Sequence, residues 1–206
     1  MKRGLLITFE GPDGSGKSTQ IELLKKYLTN RGHEVVFTRE PGGTFIGEKI
    51  RNIILDNENE NMSAMCEALL YAASRAQLVS EIIKPAIKAG KMVICDRFVH
   101  SSIVYQGIAR KLGIERIKGI NDAALNGLEA DLIFMLNISH EEGLKRKAKQ
   151  REFDRLENSG DEFHKNVFLG YELIGKTYDN ITNIDASKDE HYIHEEIIKT
   201  LEAKLQ

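Results

Sequence analysis

Residues 10–19 read Glu10-Gly11-Pro12-Asp13-Gly14-Ser15-Gly16-Lys17-Ser18-Thr19 and match the pattern G-x-x-x-x-G-K-[ST]. The preceding run, residues 5–10, is short, apolar and partly β-branched, which predicts a buried strand. After the loop, apolar residues recur at helical spacing from Ile21 to Leu28, which predicts a helix that ends near Gly32. Strand, glycine-rich loop and helix in this order are the context in which the pattern binds phosphate.

The chemistry of this loop suits a triphosphate. Glycines allow successive backbone N–H groups to face phosphate oxygens, and the N-terminus of the following helix adds the positive end of its dipole. Lys17 supplies a positive charge, and the hydroxyl of Ser18 is a ligand for Mg²⁺. A glycine-rich turn without a ligand is the alternative. We expect ATP to bind the loop residues Gly11, Pro12, Asp13, Gly14, Ser15, Gly16, Lys17, Ser18 and Thr19.

Composition narrows the class of protein. The chain has 206 residues, which predicts one domain spanning residues 1–206, and its formal net charge of −2 gives no indication of a nucleic-acid or membrane partner. No apolar run approaches the ~18 residues of a membrane span. Cys66 and Cys95 lie far apart in apolar stretches without metal-binding spacing, as expected of reduced thiols. We therefore expect a cytoplasmic protein.

A second apolar run, residues 91–97, predicts a strand that ends in an acid. In proteins with this kind of phosphate loop, an acid at the end of the neighbouring strand binds Mg²⁺ directly or through water. Asp96 is in that position, so Ser18 and Asp96 are the predicted metal ligands. Arg97 follows at the carboxyl end of the strand, above the phosphates.

The remaining elements predict the fold. Further strands are expected at residues 34–38, 132–136 and 181–184, with helical patterns between them. A long helix is predicted from an N-cap at Ser63 to Pro85, with Gly90 beyond it. Strands that alternate with helices favour an α/β fold with three α/β/α layers around a doubly wound parallel sheet of about five strands.

Two further groups of residues have alternative interpretations on pattern alone. Arg39 and Glu40 precede Pro41 on a tight loop after the second strand, where they either face the ligand crevice or keep a surface turn polar. Tyr71 and Arg75 are four residues apart on a helix, so they form either a clamp for a flat ring or a half-buried tyrosine beside a solvated arginine.

A basic segment follows the fourth strand. Ser139 and Glu142 predict a capping box, and the helix after it carries many lysines and arginines between Lys145 and Arg155. We expect residues 141–157 to form a basic helical lid, which supplies positive charge and excludes water during phosphoryl transfer. The chain lacks the N-K-x-D motif of guanine-specific switches. A kinase for a small acceptor is favoured over a non-catalytic nucleotide sensor.

Five motifs together resemble the thymidylate kinase family. They are E-G-P-D-G-S-G-K-S-T, T-R-E-P-G-G-T, L-Y-A-A-S-R-A-Q, C-D-R-F-V-H-S-S-I-V-Y-Q-G and D-R-L-E, in family order from residue 9 to about residue 157. The resemblance implies a P-loop NTPase fold, the reaction ATP + dTMP → ADP + dTDP with Mg²⁺, and a homodimer formed through residues 65–83. Gly14 stands where another branch has arginine, so the resemblance is to the bacterial-type branch. A kinase for another nucleoside monophosphate or a deoxynucleoside is the alternative within enzymes.

The resemblance also implies contacts with the acceptor. On the phosphate and sugar side, Asp13 lies near the sugar hydroxyl and Mg²⁺, Arg39 and Glu40 flank the acceptor, and Arg51 and Arg97 hold its phosphate. On the base side, Tyr71 stacks on the pyrimidine and Arg75 donates to a ring carbonyl. The other base-side positions are Ser101, Ser102 and Gln106, which contact the ring, and Tyr105, which excludes a ribose 2′-hydroxyl.

For catalysis the resemblance points to Lys17, Arg97, Asp13 and an arginine of the lid. The register of the lid is ambiguous, because Gln150 and Arg151 compete for the relevant position. We assign the role to Arg151, with Lys149 and Arg146 as the next candidates.

Overall fold

The computed structural model describes residues 3–147 and 154–205. Five strands form one parallel sheet in the order β2-β3-β1-β4-β5. The strands are β1 (Leu6–Glu10), β2 (Val35–Arg39), β3 (Met92–Asp96), β4 (Leu132–Asn137) and β5 (Ile181–Asp185). The doubly wound parallel sheet predicted from the sequence is confirmed.

Nine α-helices lie within the residues that the structure describes. They are α1 (Lys17–Asn30), α2 (Phe45–Leu55), α3 (Ala64–Leu78), α4 (Lys84–Lys88), α5 (Val99–Ser102), α6 (Ile114–Leu125), α7 (His140–Lys147), α8 (Asp161–Thr177) and α9 (Glu190–Leu205). Two π-helical segments, Val79–Ile83 and Ile103–Ala109, join α3 to α4 and extend α5.

The two faces of the sheet are covered by different helices. Alternate residues of a strand point to opposite faces, so Ile7 and Phe9 pack with α1 and α9 on one side. On the other side, Leu6 packs with the helices from α3 to α4, and Ile133 packs with α6 and α8. The result is the expected α/β/α arrangement. Within the described residues, no helix is long and apolar enough to cross a bilayer.

The long helical stretch does not end at Pro85, as the sequence predicted. It passes through the π-helical segment and continues as α4 to Lys88, and Gly90 follows with φ +83°. Proline lacks an N–H group and clashes with the carbonyl four residues earlier in an α-helix. The wider π turn immediately before α4 accommodates Pro85 without breaking the stretch.

Sheet register brings the carboxyl ends of three strands together. Phe9 of β1 and Arg39 of β2 both pair with Asp96 of β3. Glu10, the last residue of β1, pairs with Met135 of β4. The phosphate loop follows β1 directly, so the loops after β1, β2 and β3 share one edge of the sheet, where ligands of such sheets bind.

Candidate active site

The phosphate loop connects β1 to α1 with a compact turn. Gly14 and Gly16 have φ values of +80° and +88°, a backbone region that glycine adopts without strain. Lys17 is buried, and its Nζ donates to the carbonyl oxygens of Gly11 and Pro12, both at 3.0 Å. Burial, together with the nearby Arg97 guanidinium, lowers the pKa of Lys17 to about 8. The lysine is therefore held against the loop.

A cleft beside this loop forms the candidate donor site. Its lining residues are Asp13, Gly14, Gly16, Lys17, Ser18, Thr19, Asp96, Arg97, Arg146 and Glu157. Gly11, Pro12 and Ser15, also expected to bind ATP, belong to the loop but do not line the cleft. The Oδ1 atom of Asp96 is buried and has no hydrogen-bond partner among the described residues.

Arg97 lies between the donor cleft and a second cavity. Its φ of +65° is unusual for a residue with a side chain, and its backbone N–H donates to Phe9 O at 2.9 Å. The guanidinium donates to the Asp13 carboxylate, to Gly11 O at 2.9 Å and to the Tyr171 hydroxyl at 2.7 Å. These contacts fix one positive charge beside the phosphate loop.

The second cavity, of about 260 Å³, adjoins the donor cleft. Its lining includes nearly every residue expected to contact the acceptor: Asp13, Glu40, Arg51, Tyr71, Arg75, Arg97, Ser101, Ser102, Tyr105 and Gln106. Pro41, Leu55, Phe98, Asp154, Leu156, Glu157 and His164 complete it. Asp13, Arg97 and Glu157 line both spaces. The structure thus brings a phosphate loop and an arginine-rich pocket side by side.

Arg75 is wholly buried in a network of acceptors. Its Nε and Nη2 donate to the Glu40 carboxylate, and Nη1 and Nη2 both donate to Ser102 Oγ at 3.1 Å. Nη1 also donates to Asn121 Oδ1. Burial raises the pKa of Glu40 to about 7, although the adjacent Arg75 guanidinium favours the ionised carboxylate. The alternative of a solvated arginine at position 75 is wrong.

Arg39 is the one expected acceptor residue that does not line the cavity. Its guanidinium donates to Pro41 O at 2.9 Å and to Glu48 at 3.0 Å. Arg51, which does line the cavity, donates to the same Pro41 carbonyl at 3.0 Å. In this structure Arg39 therefore supports the loop behind Arg51.

Comparison with known proteins agrees with these features. The family model described as Thymidylate kinase matches residues 9–197. The chain is 48% identical to a thymidylate kinase of Finegoldia magna, with 97% of this chain and 98% of that protein covered. It is 47% identical to one from a Thermoanaerobacter species and 49% identical to one from Lactobacillus helveticus, again over nearly all of both chains.

The chain belongs to the thymidylate kinase family. Within this thymidylate kinase fold, three site residues were missed by the sequence interpretation. Glu10, wholly buried, accepts hydrogen bonds from Phe98 N at 2.9 Å and from Ser101 Oγ. Tyr171 contacts Ser101 Oγ at 2.8 Å, and Asn121 holds Arg75. Glu10 is the first residue of the phosphate-loop motif, but its partners lie 88 and 91 positions away, and Tyr171 and Asn121 lie outside the five motifs.

The residues of the expected basic lid have different surroundings. Arg151 and Lys149, the first and second candidates for the lid cation, lie outside the described residues. Arg146 lines the donor cleft and donates to Ala186 O at 3.1 Å and to Glu142 at 3.1 Å. Arg155, which the sequence grouped with the basic lid, is instead buried and donates to Ile54 O and to Glu67, both at 2.7 Å.

The start of α7 packs closely against the phosphate loop at two glycines, Gly14 of the loop and Gly143 of α7. A Cβ atom at Gly14 would lie 2.7 Å from Gly143 O, so a residue with a side chain does not fit here unless one of the two backbones shifts. A Cβ atom at Gly143 would lie 2.6 Å from the Phe168 ring and 3.3 Å from Asp13 O. Both positions permit a close approach of two backbones.

We expect Gly143→Ala to weaken ATP binding, because the added methyl group pushes α7 away from the loop. Crowding of this kind costs about 1–3 kcal/mol, so the KM for ATP should rise about tenfold, with the KM for dTMP unchanged. The matched control is Gly119→Ala in α6, where a Cβ atom meets nothing within 4 Å. Steady-state kinetics with each substrate varied measures both values, and equal KM values for ATP in the two variants would contradict the contact.

Proposed function

We propose that this chain catalyses direct transfer of the γ-phosphoryl group of ATP to dTMP at the junction of its two cavities. As a member of the thymidylate kinase family, the chain is an ATP-dependent phosphotransferase that phosphorylates dTMP to dTDP. The observation that carries the residue-level proposal is the shared wall of Asp13 and Arg97 between the donor cleft and the acceptor cavity.

In the proposed reaction, an oxygen of the dTMP phosphate attacks the γ-phosphorus of ATP. The bond from that phosphorus to the β,γ-bridging oxygen breaks, and ADP leaves with that oxygen. No covalent enzyme intermediate is needed, so the protein contributes positioning and charge stabilisation. Asp13 alone would repel phosphate, but its ion pair with Arg97 offsets that charge.

We assign the donor phosphates to the loop amides and Lys17, and Mg²⁺ to Ser18 and Asp96. The buried, unpartnered Oδ1 of Asp96 supports this metal assignment, and oxygen donors suit Mg²⁺. In the described part of the chain, no cluster of three or more His, Cys, Asp or Glu side chains could hold a metal. This agrees with Mg²⁺ held jointly by few side chains and the nucleotide phosphates. When bound, Mg²⁺ neutralises phosphate charge.

We assign the acceptor phosphate to Arg51 and Arg97, whose planar guanidinium groups suit bidentate contacts with phosphate. Tyr71 would stack on the thymine ring. Ser101, Tyr105 and Gln106 line the same pocket and are proposed to contact the sugar and base. Arg39 and Glu40 are proposed to act beside the acceptor, with Arg39 supporting the Pro41 carbonyl that Arg51 also contacts.

Arg75 is proposed to donate to a ring carbonyl of the base. Each of its guanidinium nitrogens already has a partner, so the carbonyl must share or replace a contact. Ser102 Oγ accepts from both Nη1 and Nη2 at 3.1 Å and is a neutral partner, unlike Glu40. We therefore expect the hydrogen bonds from Arg75 to Ser102 to be the ones that are shared or replaced when the base binds.

The acceptor assignment is tested with a panel of nucleoside monophosphates and deoxynucleosides. ADP release is measured with ATP, Mg²⁺ and each acceptor in turn. The proposal expects the highest kcat/KM for dTMP and no ADP release that depends on a deoxynucleoside. Binding of dTMP without turnover would favour the sensor alternative.

We also propose that the chain forms a homodimer through α2 and α3. Of the eight large apolar side chains that are exposed in the described residues, four lie on these two helices: Phe45, Ile46, Ile53 and Leu69. α2 and α3 pack against each other, so these side chains belong to one helical layer. Association of two copies would remove this apolar surface from water. The cytoplasmic location also stays a prediction.

We expect Leu69→Glu to shift the protein from dimer to monomer, because it introduces a charge into the proposed apolar interface. Leu169→Glu in α8 is the matched control, since the two leucines are 52% and 54% exposed. Light scattering coupled to size exclusion measures the mass of each variant. A monomeric unmodified protein, or a Leu69→Glu variant that remains dimeric, would contradict the interface.

A further inference from the structure

Glu67 is a wholly buried carboxylate on α3, two helical turns before Arg75. It accepts hydrogen bonds from Gln106 Nε2 at 2.9 Å, from Arg110 Nε and Nη2 at 3.3 and 3.1 Å, and from Arg155 Nη2 at 2.7 Å. Burial alone would raise the pKa of Glu67, but hydrogen bonds from Arg110 and Gln106 lower it below its ordinary value. The group is therefore an ionised carboxylate that only accepts hydrogen bonds.

The contact with Gln106 determines which end of that amide is available. A glutamine amide has a donor end and an acceptor end. Glu67 takes the donor end, Nε2, because an ionised carboxylate has no proton to offer. The acceptor end, Oε1, is buried and has no hydrogen-bond partner among the described residues. Gln106 is 1% exposed and lines the acceptor cavity.

An unpartnered buried oxygen costs free energy until a donor reaches it, and a ligand in the adjoining cavity can supply that donor. Thymine and uracil carry a ring N–H at N3, whereas the corresponding ring nitrogen of cytosine is an acceptor. Gln106 lines the cavity, and with Nε2 held by Glu67 the amide atom left for a ligand is Oε1, which attracts the first kind of ring and repels the second. A flipped amide would reverse this preference.

The same carboxylate also holds the chain around Arg155, near the end of the segment expected to form the lid. Arg155 donates to Glu67, its Nε donates to Ile54 O at 2.7 Å, and its backbone N–H donates to Leu55 O at 3.1 Å. Its neighbours Asp154 and Leu156 line the acceptor cavity. One buried charge thus joins Gln106, in one wall of the cavity, to the wall that contains Asp154 and Leu156.

We infer that Glu67 is a positioning residue for acceptor selection: it orients the Gln106 amide so that the pocket prefers a pyrimidine with a ring N–H over cytosine. This inference rests on the proposed function. Glu67 acts through Gln106, and through Arg155 it keeps the two walls of the cavity in one arrangement.

The test is Glu67→Gln, which replaces an obligate acceptor with a group that both donates and accepts, so the Gln106 amide is free to flip. We expect kcat/KM for dTMP and dUMP to fall together and the dTMP-to-dCMP ratio of kcat/KM to narrow at least tenfold. One lost hydrogen bond to a buried group is of this size, about 1.4 kcal/mol. Glu115→Gln, at an exposed carboxylate on α6, is the control and should leave the ratio unchanged.

A second variant covers the case in which Glu67→Gln does not fold. Gln106→Met removes the acceptor oxygen, keeps a similar volume and leaves Glu67 with both arginines. We expect the same narrowing of the dTMP-to-dCMP ratio. A merely structural role would lower kcat/KM for dTMP, dUMP and dCMP in parallel, and an unchanged ratio in either folded variant would overturn the inference. Failure of the proposed function would give a different result from failure of this inference, because the unmodified chain would then show no dTMP-dependent ADP release.

Discussion

Lys17→Ala is expected to lower kcat by at least ~10³-fold. The ammonium group belongs to the loop proposed to bind the donor phosphates, and preorganised charges at a developing transition state are worth roughly 10²–10³ in rate each. Lys17 also donates to the Gly11 and Pro12 carbonyls at 3.0 Å, so its removal additionally loosens the loop that presents the amides. The measurement is single-turnover ADP formation with saturating ATP and dTMP.

Two controls separate chemistry from folding for this variant. Lys25→Ala removes another lysine of α1, one that pairs with Glu22 on the surface, and should retain normal turnover. Lys17 does not line the acceptor cavity, so dTMP binding measured by calorimetry should persist in Lys17→Ala. Near-normal turnover in a folded Lys17→Ala variant would disprove the phosphate-binding role of the loop.

Arg151→Ala is expected to lower kcat by at least ~10²-fold with little change in dTMP affinity. An arginine that contacts the transferring phosphoryl group supplies ~10³–10⁵ in related reactions, and other cations of the lid retain part of that effect. The phosphate loop contains no arginine, so we propose that the basic segment supplies this charge. Turnover and the dTMP dissociation constant are measured separately, by rapid quench and by calorimetry.

Arg146→Ala is the informative companion to Arg151→Ala. Arg146 lines the donor cleft and donates to Ala186 O, which favours a role in holding ATP. We expect its substitution to raise the KM for ATP more than it lowers kcat. If Arg151→Ala reduces kcat by less than tenfold, the transition-state role moves to Arg146 or Lys149.

Local patterns predicted the strand, the loop and the helix around the phosphate loop correctly. The strand, loop and helix around residues 10–19 follow one another along the chain, so their sequence specifies their geometry. The same holds for Asp96 at the end of β3 and for the cap at Ser63, whose Oγ accepts from Cys66 N at 3.2 Å. In each case the decisive contacts lie within a few residues.

Other parts of the fold could not be predicted in this way. The sequence patterns did not identify the helices α6 and α8. They also did not indicate that residues 103–109 form a π-helical segment. α8 supplies Tyr171, which is 1% exposed and contacts Arg97. A contact between residues 74 positions apart leaves no periodic signal in a single sequence.

Of the local sequence patterns, charged residues were the least reliable guide to burial and to pairing. Arg155 belongs to the basic run expected to form the lid, yet it is buried against Glu67. Arg39 lies next to Glu40 in the sequence, but Glu40 pairs with Arg75 inside the core, whereas Arg39 pairs with Glu48 nearer the surface. Tertiary packing determines which partner a charged side chain has. Burying a charge costs free energy, and a specific opposite charge must lie close enough to offset that cost.

The sequence alone therefore determined that this chain has a parallel α/β fold with a phosphate-binding loop, since those properties depend on residues that are neighbours along the chain. Tertiary structure decided how the acceptor cavity is built, because its walls include the loop after β2, the helices α2, α3 and α5, and the segment after α7, which meet only in the folded chain. It also decided that the carboxylate of Glu67 faces Gln106, Arg110 and Arg155. A buried charge needs donors from several directions, and only the folded chain brings them together.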